Sequence, residues 1–370
     1  MTLTMLGVGD LILEESQGDF YLSLVKPVLK ASDVVVGHGE VLFTSRGVNT
    51  FVEMWAPAHG CPPSNMGAIA SANFNVITLA GNHTFDSGAP GIEDTIAGFQ
   101  SYGIAVTGAG MNIDEARKPA VIERKGTRFG FLSYNCVGPI GSWAFADKPG
   151  CAYVRVITHY EAGILSPGGL PTIYTFAEPV SLNAMISDIQ KLRPLCDVLV
   201  VALHKGILRE ATRLAMYDKQ VSHAAIDAGA DIVFGHHAHI VKGIELYKGK
   251  VIFHGLGHFV MAMLPQTKGQ TSRMSELSSI FGKEFPNADP ADFLLDGEGS
   301  WTIIAKCTID GNKIVRVSYL PCLINRQKQP EILKNDERGQ QVFNFVDKIT
   351  KAAGLDTVYE WKGDEVVIQV

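Results

Sequence analysis

The chain has 370 residues, 46% of them apolar, with a formal net charge of −6 and six cysteines. That length buries a large core and would allow two or three domains, although a layered α/β fold of this size also forms one unit. Scattered Lys and Arg leave no basic stripe, which argues against a nucleic-acid partner; no apolar run reaches the roughly 18 residues that span a bilayer.

The first residues lack a charged leader region and run directly into a strand pattern, so no signal peptide is expected. The cysteines are widely spaced without a CxxC pair and read as reduced thiols. The expectation is a cytoplasmic enzyme without a membrane anchor.

In chain order, apolar β-rich runs at 3–8, 34–36, 76–80, 129–134, 198–203, 232–234 and 251–253 read as buried strands bounded by Gly, Asp or Asn. Helical patterns lie between them at 19–31, 91–102, 182–192 and 216–228. This alternation predicts a mostly parallel or mixed sheet covered by helices. Residues 301–308, 313–319 and 365–369 alternate as antiparallel strands, with Asp310-Gly311-Asn312 as a hairpin turn, and would suit a second sheet packed on the first. Two inserts, at about 138–180 and 261–299, carry weak regular signals; such segments are commonly lids or binding loops, and otherwise plain surface excursions. The second either closes over the active site or packs against another subunit, which leaves a homo-oligomer open. The whole chain, 1–370, reads as one domain with these inserts.

The polar residues fall where strands end, and α/β sheets bind ligands at the carboxyl ends of their strands. The first run gives Gly7-Val-Gly-Asp10, the second Gly37-His-Gly-Glu40, the third Gly81-Asn82-His83, the fifth Ala202-Leu-His204, and the sixth Gly235-His-His-Ala-His239. A single carboxylate after a strand means little. Five such strand ends converging on one cleft supply a mixed N/O ligand set that suits Mn, Zn, Fe or Co. His237 and His239, two apart on an extended segment, would point the same way, with His236 pointing oppositely into the core or behind a ligand. Asn82 alone would be a turn residue; His83 beside it raises it to a ligand. His83 is placed to act as general acid or to stabilise developing charge. Asp86 either orients that imidazole or caps the following helix.

Taken together, Gly9-Asp10, Glu40, Gly81-Asn82-His83, His204-x-Gly206 and Gly235-His-His-x-His239 resemble the calcineurin-like metallophosphoesterase superfamily. More specifically they resemble the CapA (poly-γ-glutamate capsule synthesis) family. Gly108-Ala-Gly-Met-Asn112, Glu115-Ala-Arg-Lys-Pro119, Ile226-Asp-Ala-Gly-Ala-Asp231 and Gly255-Leu-Gly-His-Phe259 support the likeness, which covers about 3–258 and resumes weakly over 301–324. The resemblance implies a four-layer α/β/β/α sandwich of two mixed sheets holding one or two divalent transition metals (Mn, Zn, Fe or Co). By it, Glu40 would bridge two metals, Asp10 and His239 would complete one site, and Asn82, His204 and His237 the other.

Three departures stand out. Ile12 replaces the histidine usual two residues after the aspartate, His38-Gly39 replaces Asn-Leu before the glutamate, and His258 replaces the Asn of Leu-Gly-Asn-Phe. His38 or His258 could therefore supply the missing ligand; otherwise His258 binds substrate or is structural. Lys205 and Arg117 would bind an anionic group or simply face solvent. Trp143 and Tyr153 would form an aromatic wall over the substrate or pack as ordinary insert aromatics. The reading is a metal-dependent hydrolase of a small anionic substrate, with ester, lactone or amide slightly preferred over phosphoester. The alternatives are a non-anchored component of poly-γ-glutamate synthesis, or a metal-free binding protein.

Overall fold

The computed structural model describes residues 2–48, 60–163, 169, 171–264 and 295–369. Its centre is strand Thr2–Leu13, whose alternate side chains serve two different cores. Leu3 and Met5 face a core shared with a second sheet, while Leu6, Val8 and Leu11 face helices, as the two-residue period of a strand requires. Gly7 permits the sheets to approach, because a Cβ there would lie 2.5 Å from the Phe234 ring.

On one side of Thr2–Leu13 run the parallel strands Val34–Gly39, Val76–Thr78 and Ala105–Thr107. On the other, Trp301–Asp310 pairs antiparallel with its first half, and His258–Ala262 runs parallel to its second. Lys313–Ile324, Glu365–Ile368 and Tyr359–Lys362 continue the antiparallel wing, and Pro330–Ile332 completes a ten-stranded sheet. The second sheet has six strands, with Thr127–Asn135, Val198–Lys205, Ile232–His237 and Lys250–Phe253 parallel at its centre.

The sheets pack face to face through Val34, Val36 and Val76 against Phe129, Val200 and Phe234. Helices Asn65–Ser71 and Gly88–Ser101 cover the outer face of the first sheet; Pro179–Leu192 and Met216–Ala228 cover that of the second. This is the expected four-layer α/β/β/α arrangement.

Four local expectations change. The C-terminal strands extend the first sheet rather than building the second, because Trp301–Asp310 takes the free side of Thr2–Gly7. The helix expected at 19–31 divides into Gly18–Leu22 and Lys26–Lys30, the latter with a proline in its first turn, where a missing N–H is tolerated. Part of the first insert is an exposed hairpin, Val156–Glu161 with Thr172–Ala177. Helix Glu337–Ala352, capped by Asp336, was not anticipated; it closes the inter-sheet core with Val342, Phe345, Val346 and Ile349. Most of the second insert lies outside the described residues.

The turn at 310–312 forms as expected, with Asp310 opposite Lys313 and Gly311 at φ +61°. All six cysteines are free and buried. Among the described residues, no helix is long and apolar enough to cross a membrane.

Candidate metal centre

Asp10 sits inside its strand, at an irregularity that the glycine before it makes possible. The register shifts between Gly7 and Asp10 against one neighbour and between Asp10 and Leu11 against the other. A Cβ on Gly9 would lie 2.0 Å from Gly257 O, so no other residue fits without rebuilding both strands. The result sets Asp10 across from His38 on one side and His258 on the other. In the second sheet, His204 pairs in register with His236. His237 and His239 have φ of +81° and +53°. The extended geometry expected for them is therefore wrong, because the chain turns sharply there. Their rings still lie 6.1 Å apart.

These elements bring together two groups of donors, Asp10–His38–His204 and Asp10–His239–His258, in each of which one ligand atom per residue lies within 4.8 Å of the others. Asp10, rather than Glu40, is the residue common to both. Glu40 Oε1 is 3.1 Å from His239 Nε2 and 4.0 Å from His83 Nε2. His237 is in neither group, but its ring lies 4.9 Å from that of His204. Both departures from the ligand pattern, His38 and His258, fall inside the groups, while Ile12 is buried among apolar residues.

The opposite ring nitrogens fix several tautomers. Thr78 Oγ1 donates to Gly37 O, so at 3.0 Å it accepts from His38 Nδ1–H, leaving Nε2 as a lone pair. A proton on His204 Nε2 donates to Asn82 Oδ1 at 2.6 Å, leaving Nδ1 free. Asn82, expected as a ligand, lies with Oδ1 against a ring nitrogen of the candidate ligand His204. His236, expected to point away, has Nδ1 3.0 Å from Asp10 Oδ1 and stacks on His38 at 4.5 Å.

Burial pushes the His38 and His237 imidazoles down to about 3, aided by neighbouring histidines. It also holds His204 and His258 well below their ordinary value. Burial favours a neutral Asp10, but the close approaches of His236, at 3.0 Å, and His239, at 3.4 Å, prevail and keep its carboxyl well below the usual range. Burial raises Glu40. His239 alone is driven up, to about 10, where Glu40 and Asp10 overcome the cost of burial.

Imidazoles grouped around carboxylates form the donor set that a divalent transition metal takes. Asp10 Oδ2, both Glu40 oxygens, His38 Nε2, His204 Nδ1, His237 Nδ1, His239 Nδ1 and both His258 nitrogens are buried without a well-formed hydrogen bond, apart from the approaches of His239 to Asp10 at 3.4 Å and to Glu40 at 3.1 Å. They make up more than half of such atoms among the described residues. Buried polar atoms are normally satisfied, so their concentration here fits a cation site.

His83 Nδ1 is 2.5 Å from Asp86 Oδ2. The helix that follows begins after Ser87, so Asp86 serves the histidine rather than the cap. Lys205 is corrected: it is fully buried, 2.8 Å from His254 Nδ1 and 3.6 Å from Asp218 Oδ1, and does not face a substrate. Arg117 is corrected too, being committed to Asp188 at 2.6 Å and to Ala184 O. Trp143 stacks on Tyr153 at 4.4 Å and is buried against Ala80 and Cys151. It packs behind the Gly81-Asn82 turn instead of walling the substrate.

Two residues that sequence reasoning missed belong to the surroundings. Glu14, just past the end of strand Thr2–Leu13, is buried with Oε1 unpartnered, and burial pushes its carboxyl up against the hydrogen bond from Leu264 N–H and the pull of His83. Arg209 donates its backbone N–H to Ala238 O, between His237 and His239. Nothing local marked either residue, because the strand's alternation is interrupted after Asp10.

The bacterial capsule synthesis protein PGA_cap family matches residues 4–263. The chain is 28% identical over 324 residues to the PGA biosynthesis protein CapA of Bacillus subtilis (strain 168), covering 81% of this chain and 74% of that protein. It is 26% identical over 333 residues to a probable polyglutamine synthesis accessory protein of Mycobacterium tuberculosis (strain ATCC 25618 / H37Rv), covering 89% and 75%. Among solved structures, the calcineurin-like phosphoesterase YfkN from Bacillus subtilis aligns with a TM-score of 0.42 at 13% identity, over 94% of this chain and 98% of that one.

Proposed function

The chain belongs to the bacterial capsule synthesis protein PGA_cap family, and from that premise we propose that it is a metal-dependent hydrolase acting on a small anionic substrate. The observation that carries this reading is the set of buried, unpartnered N and O atoms on Asp10, Glu40, His38, His204, His237, His239 and His258. Asp10, His38 and His204 would hold one divalent metal, Mn, Zn, Fe or Co, and Asp10, His239 and His258 a second, with Glu40 beside His239. When bound, such metals activate water and polarise the bond to be cut.

The protein's own contributions can be named by atom. Asn82 and Thr78 hold the His204 and His38 rings in ligand-ready tautomers. Asp86, 2.5 Å from His83 Nδ1, would stabilise the His83 imidazolium, whose Nε2–H would be handed to a leaving group. Trp143 packs on Ala80, which precedes the turn that carries Asn82 and His83. An ester, lactone or amide is preferred to a phosphoester, since the relatives are named for the synthesis of a polyamide.

The names of the relatives favour a second reading compatible with the first: a role in poly-γ-glutamate synthesis, with hydrolysis acting on the polymer or its precursors. The test is a screen of the metal-loaded protein against chromogenic esters, lactones, amides and phosphoesters. Turnover in the wild type that falls about 100-fold in His83→Gln, at unchanged metal content, supports the reading. Absence of turnover in every class would remove it.

A further inference from the structure

Residues 156–161 read Val-Ile-Thr-His-Tyr-Glu, a run rich in β-branched and aromatic side chains without proline or lysine, and such a run favours a strand. It forms strand Val156–Glu161, which among the described residues pairs with Thr172–Ala177 alone. The far edge of Thr172–Ala177 lies on helix Met216–Ala228. There Ala177 N–H donates to Gln220 Oε1 at 2.8 Å and Tyr217 N–H to Thr175 Oγ1 at 3.4 Å. Among the described residues nothing covers the far edge of Val156–Glu161 in this way, and Thr158, His159, Tyr160 and Glu161 are exposed.

An unpaired edge is a template for another chain, and folds usually blunt it. The end strands of the two large sheets follow that rule. Ala105–Thr107 has only three residues. Ala120–Arg124 and Tyr359–Lys362 carry the charges of Glu123, Arg124, Glu360 and Lys362. Ile244–Tyr247 is tied to helix Glu337–Ala352, where Thr350 Oγ1 accepts from Ile244 N–H at 3.3 Å. The hairpin edge has none of these devices along Val156–Tyr160.

The register says which backbone groups it offers. Glu178 N–H donates to Arg155 O at 2.7 Å, and Val156 stands opposite Ala177. Bonded and non-bonded pairs alternate along an antiparallel ladder. Ile157, His159 and Glu161 therefore bond within the hairpin, while Val156, Thr158 and Tyr160 turn N–H and C=O outwards. These outward positions are self-complementary about Thr158. Two such strands, antiparallel with Thr158 opposite Thr158, set Val156 against Tyr160 of the partner subunit, and each outward residue meets another outward residue. The same register sets Arg155 against Glu161 of the partner subunit, twice by symmetry. Among the described residues neither Arg155 nor Glu161 forms an ion pair within its own chain.

We propose that Val156–Glu161 is a docking edge for a second copy of this chain, the two strands pairing about Thr158 to join both hairpins into one four-stranded sheet. The Tyr160 ring, 63% exposed in the single chain, then gains an aromatic on β-branched cross-strand contact. The pairing is independent of the hydrolase reading.

The test is sedimentation velocity of the full chain over a concentration series, in which the wild type is expected to pass from monomer to dimer. Thr158→Pro removes an outward N–H and no bond inside the hairpin, and should weaken the dimer about 10-fold or more. Arg155→Glu and Glu161→Arg each place like charges together twice, and each alone should weaken it by about 10-fold. Mixed in equal amounts, these two variants restore opposite charges at both contacts and should pair with wild-type affinity, a rescue that local misfolding cannot produce. A wild type that stays monomeric at every concentration overturns the proposal. So does a dimer that these substitutions leave intact, or a mixture that associates as weakly as its components.

Discussion

Asp218→Asn tests whether Lys205 is a structural cation. Both side chains are fully buried, with Lys205 Nζ 3.6 Å from Asp218 Oδ1. Asp218 also lies near Lys242, whose ammonium burial pulls down to about 8 while Asp218 pulls it back up. Its other oxygen accepts from Ala215 N–H at 2.8 Å at the start of helix Met216–Ala228. Removing this carboxylate charge leaves two buried cations facing each other. Breaking a buried pair on one side costs roughly 3–5 kcal/mol, and the weakened helix start adds about 0.5–1 kcal/mol. The expected loss is therefore about 3.5–6 kcal/mol, read as a lower urea midpoint at pH 7. Pairing it with Lys205→Met removes one of the two unpaired cations and should recover a substantial part of that loss. A change below about 1 kcal/mol in Asp218→Asn would refute the argument and return Lys205 to the candidates for substrate binding.

Further outcomes follow from the same geometry. Gly9→Ala forces a Cβ to within 2.0 Å of Gly257 O. It should displace the Asp10 and His258 strands, destabilise the fold by several kcal/mol and lower metal content; near-wild-type stability and metal binding would contradict the strand-crossing account. Stability of the metal-free protein should fall as pH drops below 6.5 toward about 3. In that window the unfolded chain binds protons on His38, His237 and His254, while the fold holds these imidazoles at about 3, 3 and 4. His239 works in the opposite sense: raised to about 10, it contributes stability fully present below 6.5 and lost as pH rises through 10. Denaturant titrations across pH should therefore show a maximum between these limits, and a profile that keeps rising toward acid would contradict the burial assignments.

Much of this was legible in the sequence because strand periodicity and strand ends are local signals. Asp10, Glu40, Asn82, His83, His204, His237 and His239 all fall near one another, and His38 and His258 enter the donor groups that Ile12 leaves short. Lys205 could have been placed correctly from the same period, since a strand neighbour of His204 must face the other way. Arg117 could not, because its partner Asp188 lies 71 residues away on a different helix. The left-handed turn at 237–239 and the crossing of 209 with 238 depend on backbone contacts between distant segments, and composition carries no trace of them. The C-terminal strands read correctly as antiparallel, but which sheet they join was decided by the open side of Thr2–Leu13.

Metal content by mass spectrometry, on protein purified without chelators, tests the central claim most directly, with His38→Ala and His258→Ala measured beside the wild type. The account predicts one or two equivalents of Mn, Fe, Co or Zn per chain, with each variant losing metal from its own donor group and keeping the other. No metal in the wild type, even after Mn or Zn is added, would contradict it, as would wild-type content in both variants.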